Sequence, residues 1–213
     1  MKNYKVKEIT YQDTKDFILN KHYAQRMPSV SWAFGLFHHD KLVGVLTIGK
    51  PASRPLCIGI LGVEHADKVY ELNRLITEDD LEQNALSFFV GRSLRKLKGE
   101  DLVIVSFADE GVGHYGYIYQ ATNFIYTGRA KERTDNYMPG NKHPRHYDET
   151  YAHLRKLRTA KHRYVFFTKN KRLAEKMNYP VLPYPKGENR KYELGTRMQV
   201  MVLNQNTGEV FAE

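Results

Sequence analysis
Residues 102–128, LVIVSFADEGVGHYGYIYQATNFIYTG, leave few folds open to this chain. The run from Leu102 to Phe107 is almost wholly apolar, which predicts a buried strand. It leads to a lone carboxylate, Asp109, followed by Gly111 and Gly113. A helix-like run from His114 to Thr122 and a strand from Phe124 to Thr127 come next. Strand, glycine turn, helix and strand together read as part of an α/β sheet. A carboxylate at the carboxyl end of a central strand stands where such sheets hold their ligands.

The preceding residues supply the rest of that sheet. Lys5 to Thr10 reads as a strand, and Asp13 or Thr14 as the cap of a helix reaching Lys21. Ser31–His38 and Leu42–Gly49 alternate and form a hairpin around Asp40-Lys41. Pro51 and Pro55 mark a loop, and Val69 to Ile76 a strand. Leu86, Phe89, Val90, Leu94 and Leu97 share one face of a helix over 85–97. Residues 129–162 have little strand character and read as a basic insertion with a helix near 148–157. A strand at 164–168, a short helix at 171–177 and a terminal hairpin turning at Asn206-Thr207-Gly208 complete the chain. The expectation is one domain, 1–213, with that insertion and a mixed α/β (α+β) sheet flanked by helices.

Charge separates two parts of the chain. The net charge is +9, and residues 129–172 hold 13 Lys and Arg against 4 Asp and Glu, so that segment carries the whole excess. Tyrosines and histidines are interleaved with the cations. Cations for phosphates and rings for bases are the ingredients of nucleic-acid binding. Arg129, Lys131, Arg133, Lys142, Arg145, Arg155, Arg158 and Lys161 are the candidate DNA contacts. The single cysteine, Cys57, excludes an internal disulfide and fits a reducing cytosol. No apolar run approaches the roughly 20 residues that span a bilayer, and the N-terminus has no apolar signal region. A cytoplasmic protein without membrane attachment is expected.

The strand at 69–76, the helix at 85–97, the strand at 102–107 and the helix at 114–122 resemble the core of GNAT acetyltransferases. More closely, the chain resembles the Mom family of bacteriophage DNA adenine-modification proteins. The matching residues are Lys21-His22-Tyr23 with Met27-Pro28, Val43-Gly44-Val45, Glu71-Leu72-Asn73-Arg74-Leu75, Asn84-Ala85-Leu86-Ser87, and Ser106 to Gly128. The resemblance implies a splayed GNAT-like sheet and a DNA substrate. It implies an enzyme that adds a carbamoylmethyl (acetamido) group to adenine N6 and so blunts host restriction, in the host cytoplasm. His22, Asp109 and Tyr23 match positions proposed to hold a metal, iron being expected. Arg74 and Tyr119 match positions needed for activity. Ser87 and Asn84 lie where the GNAT helix faces its cofactor phosphates. The partners implied are DNA and a small-molecule donor, and a homodimer is compatible with the sequence.

One stretch departs from the GNAT pattern. Residues 77–84, TEDDLEQN, contain no glycine and four carboxylates. A glycine-rich turn there would offer backbone N–H groups to a pyrophosphate, whereas carboxylates repel one. The donor is therefore acetyl-CoA or another activated compound. Adenine N6 is a poor nucleophile inside the duplex, so the base must be flipped or single-stranded. Tyr23, Trp32, Tyr115, Tyr117 and Tyr119 are the rings available to hold it. His114 reads as a helix cap, with an acid–base role beside Asp109 as the other reading. Two rival functions remain at this point: an acetyl-CoA-dependent N-acetyltransferase of protein or small amine, and a non-catalytic DNA-binding protein on a GNAT-like scaffold.

Overall fold
The computed structural model describes residues 1–140, 148–190 and 193–213. In chain order the elements are β1 (Tyr4–Glu8), α1 (Tyr11–Asp16), β2 (Trp32–His38), β3 (Lys41–Gly49), α2 (Arg54–Leu61), β4 (Val69–Thr77), α3 (Ala85–Lys96), β5 (Val103–Asp109), α4 (Tyr117–Ala121), β6 (Ile125–Ala130), β7 (Arg133–Asn136), β8 (Leu154–Arg158), β9 (Lys161–Phe167), β10 (Met201–Asn204) and β11 (Val210–Ala212). A seven-stranded sheet runs β1-β2-β3-β4-β5-β9-β6, and a four-stranded sheet runs β11-β10-β8-β7. All pairings in the larger sheet are antiparallel except β4 with β5.

That parallel pairing is short. Val69, Tyr70 and Glu71 pair with Val103, Ile104 and Val105, and the pairing then stops. Beyond it the Ser106 hydroxyl donates to the Leu72 carbonyl at 2.9 Å. A side chain thus satisfies a backbone acceptor that the diverging strands leave behind. The gap between β4 and β5 is the architectural feature that positions the site.

α3 buries Ala85, Phe89, Val90 and Leu94 on one face of the sheet, against a core that includes Phe34, Leu46 and Phe124. Its N-cap, Asn84, adopts a left-handed conformation, φ 69°, which asparagine tolerates better than most residues. On the opposite face α2 and the 171–176 turn cover Val69, Val103, Val105 and Val165. Burial on both faces explains the continuous apolar reading of β5.

Several local expectations change. Pro55 lies in the first turn of α2, where a missing N–H costs nothing, and Ser53 caps that helix. The loop expected there is therefore a helix. Thr10, not Asp13 or Thr14, caps α1. Its hydroxyl accepts the Asp13 N–H while the Asp13 carboxylate accepts the Thr10 N–H at 2.8 Å. The helix does reach Lys21, through a wider final turn over Phe17–Lys21. Residues 148–157 are not a helix. A single turn at Glu149–Tyr151 leads into β8, which pairs with β7 and β10. All five residues of β8 are half-buried, so the strand has no alternation for the sequence to show, and its Arg and Lys can pack aliphatic stems while their heads stay wet. The run expected as a helix from His114 is helical only from Tyr117 to Ala121. Among the described residues, no helix is long and apolar enough to cross a membrane.

Gly116 introduces α4 at φ +79°, and a Cβ there would lie 2.4 Å from the ring of Tyr164, which is fully buried. Gly116→Ala is expected to cost about 2–4 kcal/mol through strain and displaced packing. Urea unfolding checks this, and an unchanged midpoint would contradict the packing described.

Candidate active site
The divergence of β4 and β5 opens a cavity of about 660 Å³. His22 and Tyr23 enter it from the turn after α1, Glu71 and Arg74 from β4, and Tyr119 from α4. Lys161, from the start of β9, also lines it. Strand pleat, helix start and loop thus bring together residues up to 139 positions apart, counting from His22 to Lys161.

Two ionic features organise the walls. Asp109 faces Lys161 across the β5–β9 ladder, and its Oδ2 lies 2.7 Å from the Lys161 ammonium. Its Oδ1 accepts from the Gly111 N–H at 2.9 Å and from the Thr159 hydroxyl. Burial pushes the Asp109 carboxyl up, but the Lys161 charge and these hydrogen bonds more than offset it, and the net direction is down. Asp109 is therefore a firmly held anion behind the cavity wall. Glu71 behaves differently. It lines the cavity, and burial raises its pKa despite the nearby positive charges of Arg74 and Lys161. A carboxyl poised toward neutrality in a cavity is suited to exchanging a proton. In the sequence Glu71 stands out only as part of the Glu71-Leu72-Asn73-Arg74-Leu75 stretch. The signal for its role is its place at the last paired position before the strands part.

Arg74 is half-buried and anchored by carbonyls. It donates to the Asn73 carbonyl at 2.6 Å and the Arg26 carbonyl at 2.8 Å, while its buried Nε has no hydrogen-bond partner among the described residues. Such a guanidinium retains capacity for an anionic or carbonyl ligand.

His22 is buried, and burial first, then Arg74, His114 and Lys161, bring its pKa down to about 3. Its Nδ1 accepts the Ala24 N–H at 2.9 Å. Nδ1 therefore carries no proton, and in the neutral ring the proton sits on Nε2. A metal-ligating histidine has the opposite arrangement, its second nitrogen donating outward while the first offers a lone pair. The expected iron set does not fit this geometry. His22 presents a protonated Nε2, and Asp109 already accepts from three donors. Among the described residues no group of three His, Cys, Asp or Glu could hold a metal ion.

Tyr119 is buried, and its hydroxyl bonds with Ser106, while burial pushes its pKa up to about 12. It stays neutral and can act only as a hydrogen-bond donor or acceptor. Ser87 and Asn84 reach the cavity from the start of α3. Of the other rings, Tyr23 and Tyr117 also line it. Trp32 instead packs edge-on against Tyr70, 4.9 Å between centroids, and Tyr115 packs under the 187 loop. His114 lines the cavity, and α4 is capped at Gly116, so the cap role expected for His114 is not what it performs.

The Mom protein family profile matches residues 3–186. This chain belongs to the Mom protein family. The chain is 32% identical over 211 residues to "Methylcarbamoylase mom" of Escherichia phage Mu, covering 87% of this chain and 85% of that protein. It is a transferase, as that relationship supports. The ribosomal-protein-S18-alanine N-acetyltransferase of Escherichia coli shares the fold, with a TM-score of 0.50 at 8% identity, over 78% of this chain and 95% of that one. The ribosomal-protein-S5-alanine acetyltransferase of Vibrio fischeri aligns with a TM-score of 0.48 at 12% identity, over 80% and 96%. The splayed mixed sheet is thus the GNAT acetyltransferase fold.

In this Mom family member most of the eight candidate DNA contacts are tied within the protein. Arg129 is held by Glu110 at 2.6 Å and by Glu132, and Arg158 by Asp135 at 2.7 Å. Arg133 lies 3.4 Å from Asp135, and Arg155 donates to the Asn136 side chain. Lys161 belongs to the cavity through Asp109. Lys131 is exposed. Lys142 and Arg145 lie outside the described residues. Local carboxylates near the positive segment, which a charge count cannot place in space, account for this difference.

The depressed pKa of His22 fixes a pH dependence. The unfolded chain takes up a proton at this histidine as pH falls through about 6.5, but the folded protein resists until about 3. Stability is complete above that window and falls within it, by up to about 1.4 kcal/mol per pH unit through this residue. Urea unfolding between about pH 6.5 and pH 5 is expected to give a shallower acid slope for His22→Gln than for the unaltered protein. Equal slopes would contradict a buried neutral ring.

Proposed function
We propose that this protein adds a carbamoylmethyl (acetamido) group to N6 of adenine in phage DNA, protecting it from host restriction in the host cytoplasm. The observation that carries this reading is the cavity between β4 and β5. His22, Tyr23, Arg74 and Tyr119, to which the family resemblance assigns roles, line one space with Glu71, a matching residue to which it assigns none. The relative named as a methylcarbamoylase from phage Mu supports the reaction class.

In this reading a flipped adenine enters the cavity with a small activated donor that carries its leaving group on the methylene carbon of a carbamoylmethyl unit, which acetyl-CoA itself does not. Tyr23 and Tyr117 offer faces for the base. The product has an sp³ carbon on N6, so simple aminolysis of a thioester, which gives an amide, does not make it. A new N6–C bond forms, N6 loses one proton, and the donor's leaving group departs with its bonding pair. Glu71, in its ionised form, takes the N6 proton. Arg74 and Lys161 hold the negative charge of the donor. The protonated Nε2 of His22 and the neutral Tyr119 hydroxyl orient acceptor atoms of base and donor. Asp109 fixes Lys161 rather than meeting substrate. No step here depends on a metal. Lys131, Lys142 and Arg145 are the remaining contacts for the DNA backbone among the eight candidates.

Co-expression with a plasmid, followed by mass spectrometry of its nucleosides, tests this. The expected product is an N6-carbamoylmethyl deoxyadenosine. Glu71→Gln is expected to reduce it by about 10²-fold or more, the usual worth of a positioned base. Only unmodified deoxyadenosine, from soluble folded protein, would overturn the reading.

A further inference from the structure
A second cavity, of about 820 Å³, lies along the other flank of α3, between that helix and the β9–β6 edge of the sheet. Arg95, Lys98, Lys169 and Lys171 line it, together with Phe88 and Phe166. Among the described residues no carboxylate lines this cavity, and none of the four cations forms an ion pair. This contrasts with the 129–161 region, where local acids neutralise most of the arginines. Four unneutralised cations beside an apolar aromatic wall suit a ligand that is anionic at one end and flat and apolar at another.

Gly91 adds an independent observation. It sits in the middle of α3, where glycine costs roughly 0.5–1 kcal/mol relative to alanine. Nothing in the fold requires it: a Cβ built there meets no atom within 4 Å, and its φ is not positive. What it does is leave open space, because Gly91 itself lines the cavity. Ser87 and Phe88, Gly91 and Arg95 fall at intervals of three and four, so one stripe of α3 forms the helix side of the cavity, and Lys98 follows in the turn just after the helix.

The two cavities share Asn84, Ser87 and Ala121. A ligand can therefore lie in the second cavity and reach the first across the start of α3. At that start the direct approach is acidic, with Glu78, Asp79, Asp80 and Glu82 immediately before the helix. Glu78 is neutralised by Lys21 at 2.6 Å and Glu82 lies 3.9 Å from the Met1 ammonium, whereas Asp80 is exposed.

We propose that the second cavity binds the phosphorylated, nucleotide-like handle of the transferred group's donor, displaced from the acidic start of α3 to the Arg95–Lys98–Lys169–Lys171 flank. This rests on the transferase reading above for the existence of a donor.

The test is calorimetric titration of the full chain with coenzyme A and with ATP as probes, beside a gel shift with duplex DNA at fixed salt. The double variant Arg95→Glu/Lys98→Glu is expected to weaken binding of at least one nucleotide probe by about tenfold or more, and to change duplex affinity less than about twofold. Gly91→Leu, which fills open space, is expected to weaken the same probe without lowering the thermal midpoint. Unchanged nucleotide binding in both variants overturns the proposal, as does absence of saturable binding to the unaltered protein. A loss of duplex affinity in place of nucleotide affinity also overturns it and assigns the flank to DNA. Failure of the DNA-modification reading is visible separately, in the nucleoside analysis, and leaves these titrations interpretable.

Discussion
The molecule is organised by a hydrogen-bond ladder that stops. β4 and β5 pair over three positions and then part after Glu71 and Val105. In a sheet interior, unpaired backbone groups are costly, so a parting needs compensation. The Ser106 hydroxyl supplies part of it by bonding the Leu72 carbonyl, and Ser106 in turn meets the Tyr119 hydroxyl. The same few atoms that make the gap tolerable therefore connect it to α4. The cavity, its polar lining and the orientation of Tyr119 are consequences of one local interruption in an otherwise continuous sheet.

Charge inside such a gap must be paired or neutralised. The structure uses both solutions within a few residues. Asp109 stays ionised because Lys161, Thr159 and Gly111 converge on it. Among the described residues Glu71 has no comparable set of donors, and burial drives it toward its neutral form. His22, with a backbone N–H on Nδ1, is neutral as well. Two carboxyls and a histidine thus take three distinct protonation characters from their surroundings, as proton transfer at one face and fixed charge at another require.

Much of this was legible in the residues. The unbroken apolar run before Asp109 gave a strand buried on both faces, and the spacing of Phe89, Val90 and Leu94 gave α3. His22, Tyr23, Arg74 and Tyr119, marked by resemblance, do share one cavity. What was not legible depended on distance in space. The Lys161 partner of Asp109 is one such feature, since only the β5–β9 register sets the two opposite each other. The basic segment reads as loop and helix because β8 is half-buried at every position and has no alternation to show, and acids within and beside the segment, Glu132, Asp135, Glu110 and Asp109, hold several of its cations. Pro55 reads as a loop marker in sequence because its tolerance in a first helical turn depends on the Ser53 cap. The meaning of Gly91 in mid-helix depends on the open space beside it, which sequence does not show.

The central claim is that adenine reacts in the gap between β4 and β5. The most direct measurement is a crystal structure of the protein with a DNA duplex containing an adenine that it modifies. The account predicts that adenine extrahelical, inside the 660 Å³ cavity, with N6 near the Glu71 carboxyl and the base beside Tyr23. An adenine stacked in the duplex, with the DNA bound on a face remote from Glu71, would contradict it.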